Sequence, residues 1–311
     1  MTDAAIRDGW SRDRRDPSTL SLLADRWFRW LIVAPAVFML LLVGLFPFVY
    51  SLVASFQRIN RRVTDTSFHG LLNYERLVSD GRFWDALVNT AVFTAVALPI
   101  ELLLGLLLAR LFLNPLPGRQ IFVALLILPS VIAPFVGGAM WRLMFDNIFG
   151  PINQVLSWLA GHRVEILWLL NDNPVVVFGA ILACEIWQWT PFMFLVLLAG
   201  LTNIDRSLVE AAQLDGASGV QVFTRIMIPL IRPVILVALT IRGLDLVRLF
   251  DIVYALTRGG PGSMTETLSI YMYIAGFERF DISYTAAIAF AVILTLSALM
   301  MVLLRRTGLT R

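Results

Sequence analysis

Apolar segments long enough to cross a membrane recur along the chain and alternate with short polar stretches. A transmembrane helix needs about 20 predominantly apolar residues to cross a hydrocarbon core roughly 30 Å thick. Six segments meet this length, at about residues 30–56, 86–109, 121–144, 175–201, 233–256 and 284–304. The pattern predicts an all-α polytopic membrane protein with six transmembrane helices, forming one membrane domain over residues 29–311.

The first apolar segment follows a polar head, residues 1–28. A signal peptide has an apolar run of only about 7 to 15 residues after a short basic head. Because both parts are longer here, we expect an uncleaved transmembrane span after an N-terminal segment over residues 1–28.

Prolines occur inside several of the predicted spans. They are Pro35, Pro47, Pro99, Pro129, Pro134 and Pro191. Kinked helices are tolerated in membranes where neighbouring groups satisfy the freed backbone carbonyls. Two interpretations stay open: the kinks reflect irregular helix packing, or they open a central cavity.

Arginine placement predicts the orientation, because cytoplasmic loops of membrane proteins carry an excess of basic residues. With the N-terminus inside, the cytoplasmic segments hold 14 arginines and the outer segments hold nine. The bias is modest, but the dense arginines of residues 1–28 favour the same orientation. We therefore expect the N-terminus and the C-terminus inside, which places the loop over residues 202–232 in the cytoplasm.

Composition excludes several classes of function. The hydrophobic fraction is 58% and the charged fraction 15%, against roughly 25% charged residues in soluble domains. All 25 basic residues are arginine, so the chain lacks the lysine of a phosphate-binding loop and of Schiff-base chemistry. With one cysteine and two histidines, neither an intrachain disulfide nor a Cys/His metal site is expected. A net charge of +3 does not indicate a nucleic-acid partner.

The cytoplasmic loop between the fourth and fifth spans is longer than a bundle connection needs. Asp205 is placed to cap a helix that begins near Arg206, and Gly216 is placed to make a sharp turn. A second helical run then carries Val220, Phe223 and Ile226 on one face. The pattern predicts helix, turn and helix at the membrane surface. Docking of a cytoplasmic partner and simple interfacial packing are equally compatible with it.

The spacing within this loop resembles a known signature. In order, the loop contains Glu210, Ala211, Ala212, Gly216, Ile226, Ile228 and Pro229. This resembles the EAA signature of importer-type ABC transporter permeases, with Ile228 where that family usually has leucine. Residues 73–74, 83–94, 250–261 and 265–268 resemble the carbohydrate-uptake, maltose-type branch, so the similarity covers roughly residues 70–305.

The resemblance implies a type I ABC importer transmembrane domain that is not itself an enzyme. It implies a coupling helix that contacts a separate ATPase subunit through Glu210, Ala211, Ala212, Asp215, Gly216 and Ala217. The implied partners are a second, homologous permease subunit, two copies of a P-loop ATPase that bind ATP and Mg, and an extracytoplasmic solute-binding protein. The implied location is the inner membrane of a bacterium, and the implied cargo is a sugar or sugar derivative imported by alternating access.

Ionisable residues inside spans are costly and mark candidate sites. Glu101 lies in the second span, and the fifth span carries Arg242, Asp245, Arg248 and Asp251 at intervals of three. Neighbours three apart can pair along a helix, but each step turns the stripe by about 60°, so the four are not expected to face one cavity. Either they form a self-neutralising ladder with pairing between subunits, or they line a path for a hydroxyl-rich solute.

The fourth span carries a polar and aromatic run with the composition of a sugar site. Aromatic faces pack on the C–H faces of sugar rings, and carboxylates and amides bind hydroxyls. The candidate solute path comprises Glu185, Trp187, Gln188, Trp189, Asp245, Arg248 and Tyr271. Tryptophan and tyrosine are also typical of membrane interfaces, which is the competing interpretation.

Two outer segments are predicted to be structured. Residues 147–158 have the pattern of a short helix, and residues 264–277 are too short to span and are expected to be re-entrant or interfacial. Tyr271 and Tyr273 of the second segment either line the outer mouth or belong to an aromatic belt.

Two other classes of function compete with the importer permease. A stand-alone secondary transporter or channel would more often show an internal repeat, which we do not find. A polytopic membrane enzyme would need clustered histidines or carboxylates at a membrane edge. The sequence therefore favours a sugar importer permease, with the identity of the sugar left open.

Overall fold

The computed structural model describes residues 19–59, 67–114 and 116–307, and this part of the chain is helical apart from one isolated bridge between Gln57 and Phe68. Most of the predicted N-terminal segment, residues 1–28, lies outside the described residues. The helices are α1 (Thr19–Leu40), α2 (Phe46–Ser55), α3 (Leu72–Ser79), α4 (Gly81–Leu111), α5 (Arg119–Val131), α6 (Pro134–Met144), α7 (Pro151–Ala160), α8 (Pro174–Thr202), α9 (Arg206–Leu214), α10 (Gly219–Gln221), α11 (Ile228–Leu230), α12 (Arg232–Val247), α13 (Asp251–Leu256), α14 (Leu268–Tyr273) and α15 (Ile282–Thr307). Short π-helical turns continue α1, α10 and α14.

Three helical stretches are long and apolar enough to cross a membrane without a break. They cover Trp30–Ser55, which includes α2, and the whole of α4 and α8. Two further pairs of helices have the required composition but are sharply bent: α5 with α6 by 96°, and the run Gly219–Leu230 with α12 by 67°. Helix α15 covers the sixth predicted segment.

The third predicted span consists of two helices joined at a sharp bend, in a segment where the sequence analysis noted prolines. Ile132 and Ala133 adopt extended backbone angles between α5 and α6. The residue before a proline is disfavoured from helical angles, so Pro134 starts a new helix. The break frees the Ile132 carbonyl, which accepts a hydrogen bond from the Gln188 side-chain amide at 2.7 Å. A polar side chain from α8 thus satisfies a carbonyl that the break leaves free.

The fifth predicted span also ends early. Helix α12 stops at Val247, and α13 starts at Asp251 after an irregular connection. Within this connection the Leu249 carbonyl accepts a hydrogen bond from the Thr267 hydroxyl at 2.8 Å. The continuous helix expected over 233–256 is therefore replaced by a broken one, with its free backbone again satisfied by a distant side chain.

Helices α4 and α8 form the centre of the described structure. A Cβ atom added at Gly105 on α4 would lie 2.7 Å from the Met193 Cβ atom on α8, so glycine permits this close backbone approach. Buried Phe194 and Leu197 of α8 continue the same core toward α12. The outer predicted helix, residues 147–158, is present as α7 with a slightly later start.

Candidate functional site

The loop between the fourth and fifth predicted spans forms the predicted helix, turn and helix, and residues 205–230 are called the elbow below. The Asp205 carboxylate accepts a hydrogen bond from the Ser207 backbone N–H at 3.0 Å and caps α9, as the sequence indicated. This backbone donor lowers the pKa of the Asp205 carboxyl, since it stabilises the ionised form.

The turn after α9 depends on Gly216, whose φ of +83° lies in the left-handed region that favours glycine. The Ala217 N–H donates to the Ala212 carbonyl across this turn, which closes the end of the helix. Ser218 and Gln221 then form a reciprocal capping box that starts the second helix. The spacing Ser-x-x-Gln was the signal for this cap, and the sequence analysis missed it.

The predicted coupling residues lie on an accessible surface. Glu210, Ala211, Asp215 and Gly216 are exposed, and Ala212 and Ala217 are half-buried. Beside them, Leu214 is 89% exposed, a large apolar side chain with almost no cover.

The second helix of the elbow presents only part of the predicted face to the core. Phe223 is buried and Ile226 is half-buried, but Val220 is exposed and Val222 is buried instead. The run Val222–Met227 is π-helical, which shifts the periodicity on which the predicted face depended. The Arg110 guanidinium of α4 lies 4.8 Å from the Phe223 ring centroid and adds a contact to the membrane domain.

A buried cluster of charges joins the three helices α4, α8 and α12. The Arg242 guanidinium on α12 donates two hydrogen bonds of 2.8 Å to Glu101 on α4 and one of 2.7 Å to Glu185 on α8. The exposed fractions of Arg242, Glu101 and Glu185 are 1%, 0% and 2%. We call these three residues the ion triad.

The ion triad corrects the predicted ladder along the fifth span. Only Arg248 and Asp245 pair along the chain, at 3.0 Å, and their side chains are partly exposed. Arg242 reaches across to other helices instead, because packing brings carboxylates from α4 and α8 within its reach.

A cavity of about 290 Å³ lies beside the ion triad. Its lining residues are Pro134, Glu185, Trp189, Arg242, Asp245, Arg248, Leu249, Phe250, Asp251 and Ile252. Four of the seven predicted solute-path residues therefore meet at one place: Glu185, Trp189, Asp245 and Arg248. The lining also holds all four charged residues of the fifth predicted span, so the expectation that they would not face one cavity was wrong. That expectation assumed a regular helix, but α12 ends at Val247 and a new helix starts at Asp251. The Trp189 ring centroid lies 4.7 Å from the Arg242 guanidinium carbon, so one part of the ring is already engaged.

The structure does not bring the other three predicted residues into the cavity wall. Trp187 contacts the Trp141 ring edge-on at 5.7 Å, and Gln188 is buried against the break between α5 and α6. Tyr271 is buried, and its hydroxyl donates to the Asp80 carboxylate. These three side chains hold helices together in the described structure.

Asp80, at the start of α4, was not singled out by the sequence analysis. Its carboxylate accepts hydrogen bonds from Tyr271 and, at 2.5 Å, from Tyr284 on α15. Burial by itself raises the pKa of Asp80, but these hydroxyls and the backbone N–H groups of Phe83 and Arg82 outweigh it, so the pKa lies below the ordinary value of 3.8. An acidic residue before a helix was the available signal, although its distant tyrosine partners were not readable from it.

Comparisons with known proteins agree with the helical architecture. Residues 72–307 match the family described as "Binding-protein-dependent transport system inner membrane component". The probable ABC transporter permease protein y4oQ of Sinorhizobium fredii is 38% identical over 262 residues, covering 84% of this chain and 83% of the relative. The trehalose/maltose transport system permease protein MalF of Thermococcus litoralis is 36% identical over 244 residues, covering 78% and 81%.

A solved structure with a similar fold is that of a bacterial alginate ABC transporter in complex with an alginate pentasaccharide-bound periplasmic protein. One of its chains superposes with a TM-score of 0.76 at 22% sequence identity, covering 92% of this chain and 94% of that chain. At this identity the likeness concerns the fold.

Proposed function

This chain belongs to the binding-protein-dependent transport system inner membrane component family, and we propose that it is one permease subunit of an ATP-driven sugar importer. In this proposal it moves a sugar or sugar derivative from outside to the cytoplasm by alternating access. The family is one of transporter permeases, so the chain itself carries no catalytic residues. Relatives named for trehalose and maltose transport support a carbohydrate as cargo.

We propose six transmembrane spans with both termini inside, in a type I ABC importer transmembrane domain over residues 29–311. The three long apolar stretches and the two bent pairs support up to five crossings, and α15 would be the sixth. Exposed apolar side chains along the stretch Trp30–Ser55 support contact with the bilayer of a bacterial inner membrane.

The elbow is proposed to couple the chain to an ATPase. The observation that carries this proposal is its exposed surface around the Gly216 turn, joined directly through a 67° bend to α12. Movement of the elbow would thereby be passed to the helix that carries Arg242 of the ion triad. Glu210, Asp215 and Gly216 would face the ATPase cleft, with the small side chains of Ala211, Ala212 and Ala217 permitting close approach.

The proposed assembly is a heterodimer of this chain with a homologous permease, two P-loop ATPase subunits and an extracytoplasmic solute-binding protein. ATP and Mg would be bound by the ATPase subunits, since a chain without lysine cannot form their phosphate-binding loop. A partner shifts a conformational equilibrium only through contacts that differ between the two states. A rigid, capped elbow is suited to making such contacts.

The cavity beside the ion triad is proposed as part of the solute path. Glu185, Trp189, Asp245 and Arg248 line it, and α12 connects it to the elbow. We propose that three residues outside the cavity wall stabilise the helices that form the path: Trp187, Gln188 and Tyr271.

The proposal is tested by purifying the tagged full-length chain from membranes of its host and identifying associated proteins by mass spectrometry. A P-loop ATPase is expected to co-purify, and proteoliposomes of this complex with its binding protein should take up sugar only when ATP is supplied. Sugar uptake by the isolated chain without ATP would instead support the alternative, a stand-alone secondary transporter or channel.

A further inference from the structure

The charged side chains that line the cavity beside the ion triad indicate the charge of the solute that it binds. This inference rests on the proposed function, because it concerns the same solute path. The lining contains three carboxylates, from Glu185, Asp245 and Asp251, and two guanidinium groups, from Arg242 and Arg248. The formal charge of the wall is therefore −1, and the carboxylate of Glu101 directly behind Arg242 makes it −2.

The charge of Arg242 is already fully engaged. Its guanidinium donates to two carboxylates and lies over the Trp189 ring, at 1% exposure. A planar guanidinium in this arrangement has few donors left for another anion. Arg248 in turn pairs with Asp245. Neither arginine is thus presented as an unpaired cation toward the cavity.

One buried hydrogen-bond acceptor in the cavity wall has no partner. Among the described residues, four buried side-chain oxygens lack a hydrogen-bond partner, and three of them lie between residues 185 and 190 of α8. Of these three, only Glu185 Oε2 belongs to a residue of the cavity wall, and an ionised carboxylate oxygen accepts hydrogen bonds and cannot donate them. Buried polar atoms are nearly always paired, so this oxygen indicates a place for an external donor.

We propose that this cavity binds a hydroxyl-rich solute that carries no negative charge, with the free Glu185 oxygen accepting a hydroxyl hydrogen. A hydroxyl group supplies the donor that the Glu185 Oε2 atom lacks. A carboxylate or phosphate on the solute would face a wall of net negative charge, in a membrane interior where water screens little. The volume of about 290 Å³ is at the lower end of ligand pockets, which suits one sugar ring at a time.

Cysteine protection in the full-length chain tests this proposal. Cys184 is the only native cysteine and is buried, so background labelling by N-ethylmaleimide should be low. Phe250→Cys and Pro134→Cys each place a reporter in the cavity wall without changing a charge. Arg163→Cys, whose native side chain is 80% exposed and outside the cavity, is the control.

The probes are neutral trehalose, maltose, lactose and glucose, compared with the anions glucuronate and glucose 6-phosphate at equal concentration. At least one neutral sugar should slow labelling of a cavity reporter twofold or more, and neither anion should do so. Labelling of the control should be unchanged. Protection by an anion that equals the best neutral sugar would overturn the proposal, as would the absence of protection by every neutral sugar at both reporters.

Glu185→Gln tests the acceptor itself. The amide oxygen can keep the hydrogen bond from Arg242, while the free acceptor becomes an N–H donor. We expect the half-protecting concentration of the neutral sugar to rise at least threefold, and Glu165→Gln, an exposed loop change of the same charge, to leave it unaltered. If the half-protecting sugar concentration of both variants equals that of the parent, Glu185 is not the acceptor.

This outcome is separable from that of the proposed function, because labelling uses the chain without its ATPase. Co-purification of an ATPase without sugar protection would leave the importer assignment standing and refute the cavity inference. Sugar protection without co-purification of an ATPase would support the cavity inference and refute the importer assignment.

Discussion

Arg242 and Glu101, separated by 141 positions in the chain, form a bidentate ion pair with two hydrogen bonds of 2.8 Å. Together with Glu185 they join α12, α4 and α8. Buried charges need oppositely charged partners, and loss of one member leaves the others buried and uncompensated. The pair therefore fixes the position of α12, which follows the elbow, against α4 and α8.

Replacing Arg242 with methionine should lower the free energy of unfolding by about 3–5 kcal/mol, the range for breaking a buried ion pair. The measurement is unfolding of the detergent-solubilised chain. Arg163→Met is the matched control, since its pair with Glu165 is exposed and worth about 0–1 kcal/mol. Adding Glu101→Gln and Glu185→Gln to Arg242→Met should recover much of the loss. Equal stability of Arg242→Met and the control would contradict the role given to the triad.

Replacing Gly216 with valine should uncouple transport from ATP hydrolysis. Its positive φ disfavours a β-branched residue, and a side chain there would project from the exposed elbow, since nothing lies within 4 Å of an added Cβ. Gly161→Val is a close control, because Gly161 has a φ of +70° and equally open surroundings in an outer loop. ATP-driven uptake by the reconstituted complex should fall at least tenfold only for Gly216→Val. Equal uptake by the two variants would argue against coupling through the elbow.

Replacement by alanine should change stability in opposite directions at Gly105 on α4 and at Gly179 on α8. At Gly105 an added Cβ would meet the Met193 Cβ at 2.7 Å and nearby backbone at 3.0 Å, so Gly105→Ala should destabilise by about 1–3 kcal/mol. At Gly179 nothing lies within 4 Å, so Gly179→Ala should stabilise by about 0.5–1 kcal/mol. Thermal unfolding of both variants checks this, and a loss of stability at both sites would show that the close approach at Gly105 is not the cause.

Asp80 should make stability depend on pH. Because its folded-state pKa lies below the ordinary 3.8, its contribution is complete at pH values above the unfolded pKa and is lost as pH falls through the folded pKa. Asp80→Asn should therefore lower the midpoint of thermal unfolding at pH 7, and the difference from the parent should shrink toward pH 3. Asp172→Asn, an exposed loop change, should alter neither value. A difference that stays constant with pH would mean that the ionised carboxylate is not the stabilising form.

Local sequence patterns predicted the elements whose causes are local. A cap at Asp205, a turn at Gly216 and helices over the apolar segments depend on neighbouring residues, and all of them are present in the structure. The prolines also signalled irregular spans, although whether Pro129 or Pro134 would break a helix depended on whether the freed carbonyl could find a partner.

The sequence by itself determined that this is an apolar helical chain without a lysine, carrying a capped elbow and costly intramembrane charges. Only the tertiary structure decided which charges pair, because a ladder along one helix competes with carboxylates that other helices bring within 3 Å of Arg242. It likewise decided that Trp189 borders a cavity while Trp187 and Tyr271 pack against neighbouring helices. Spacing along a chain fixes the face of a helix, but the approach of distant helices fixes what that face contacts.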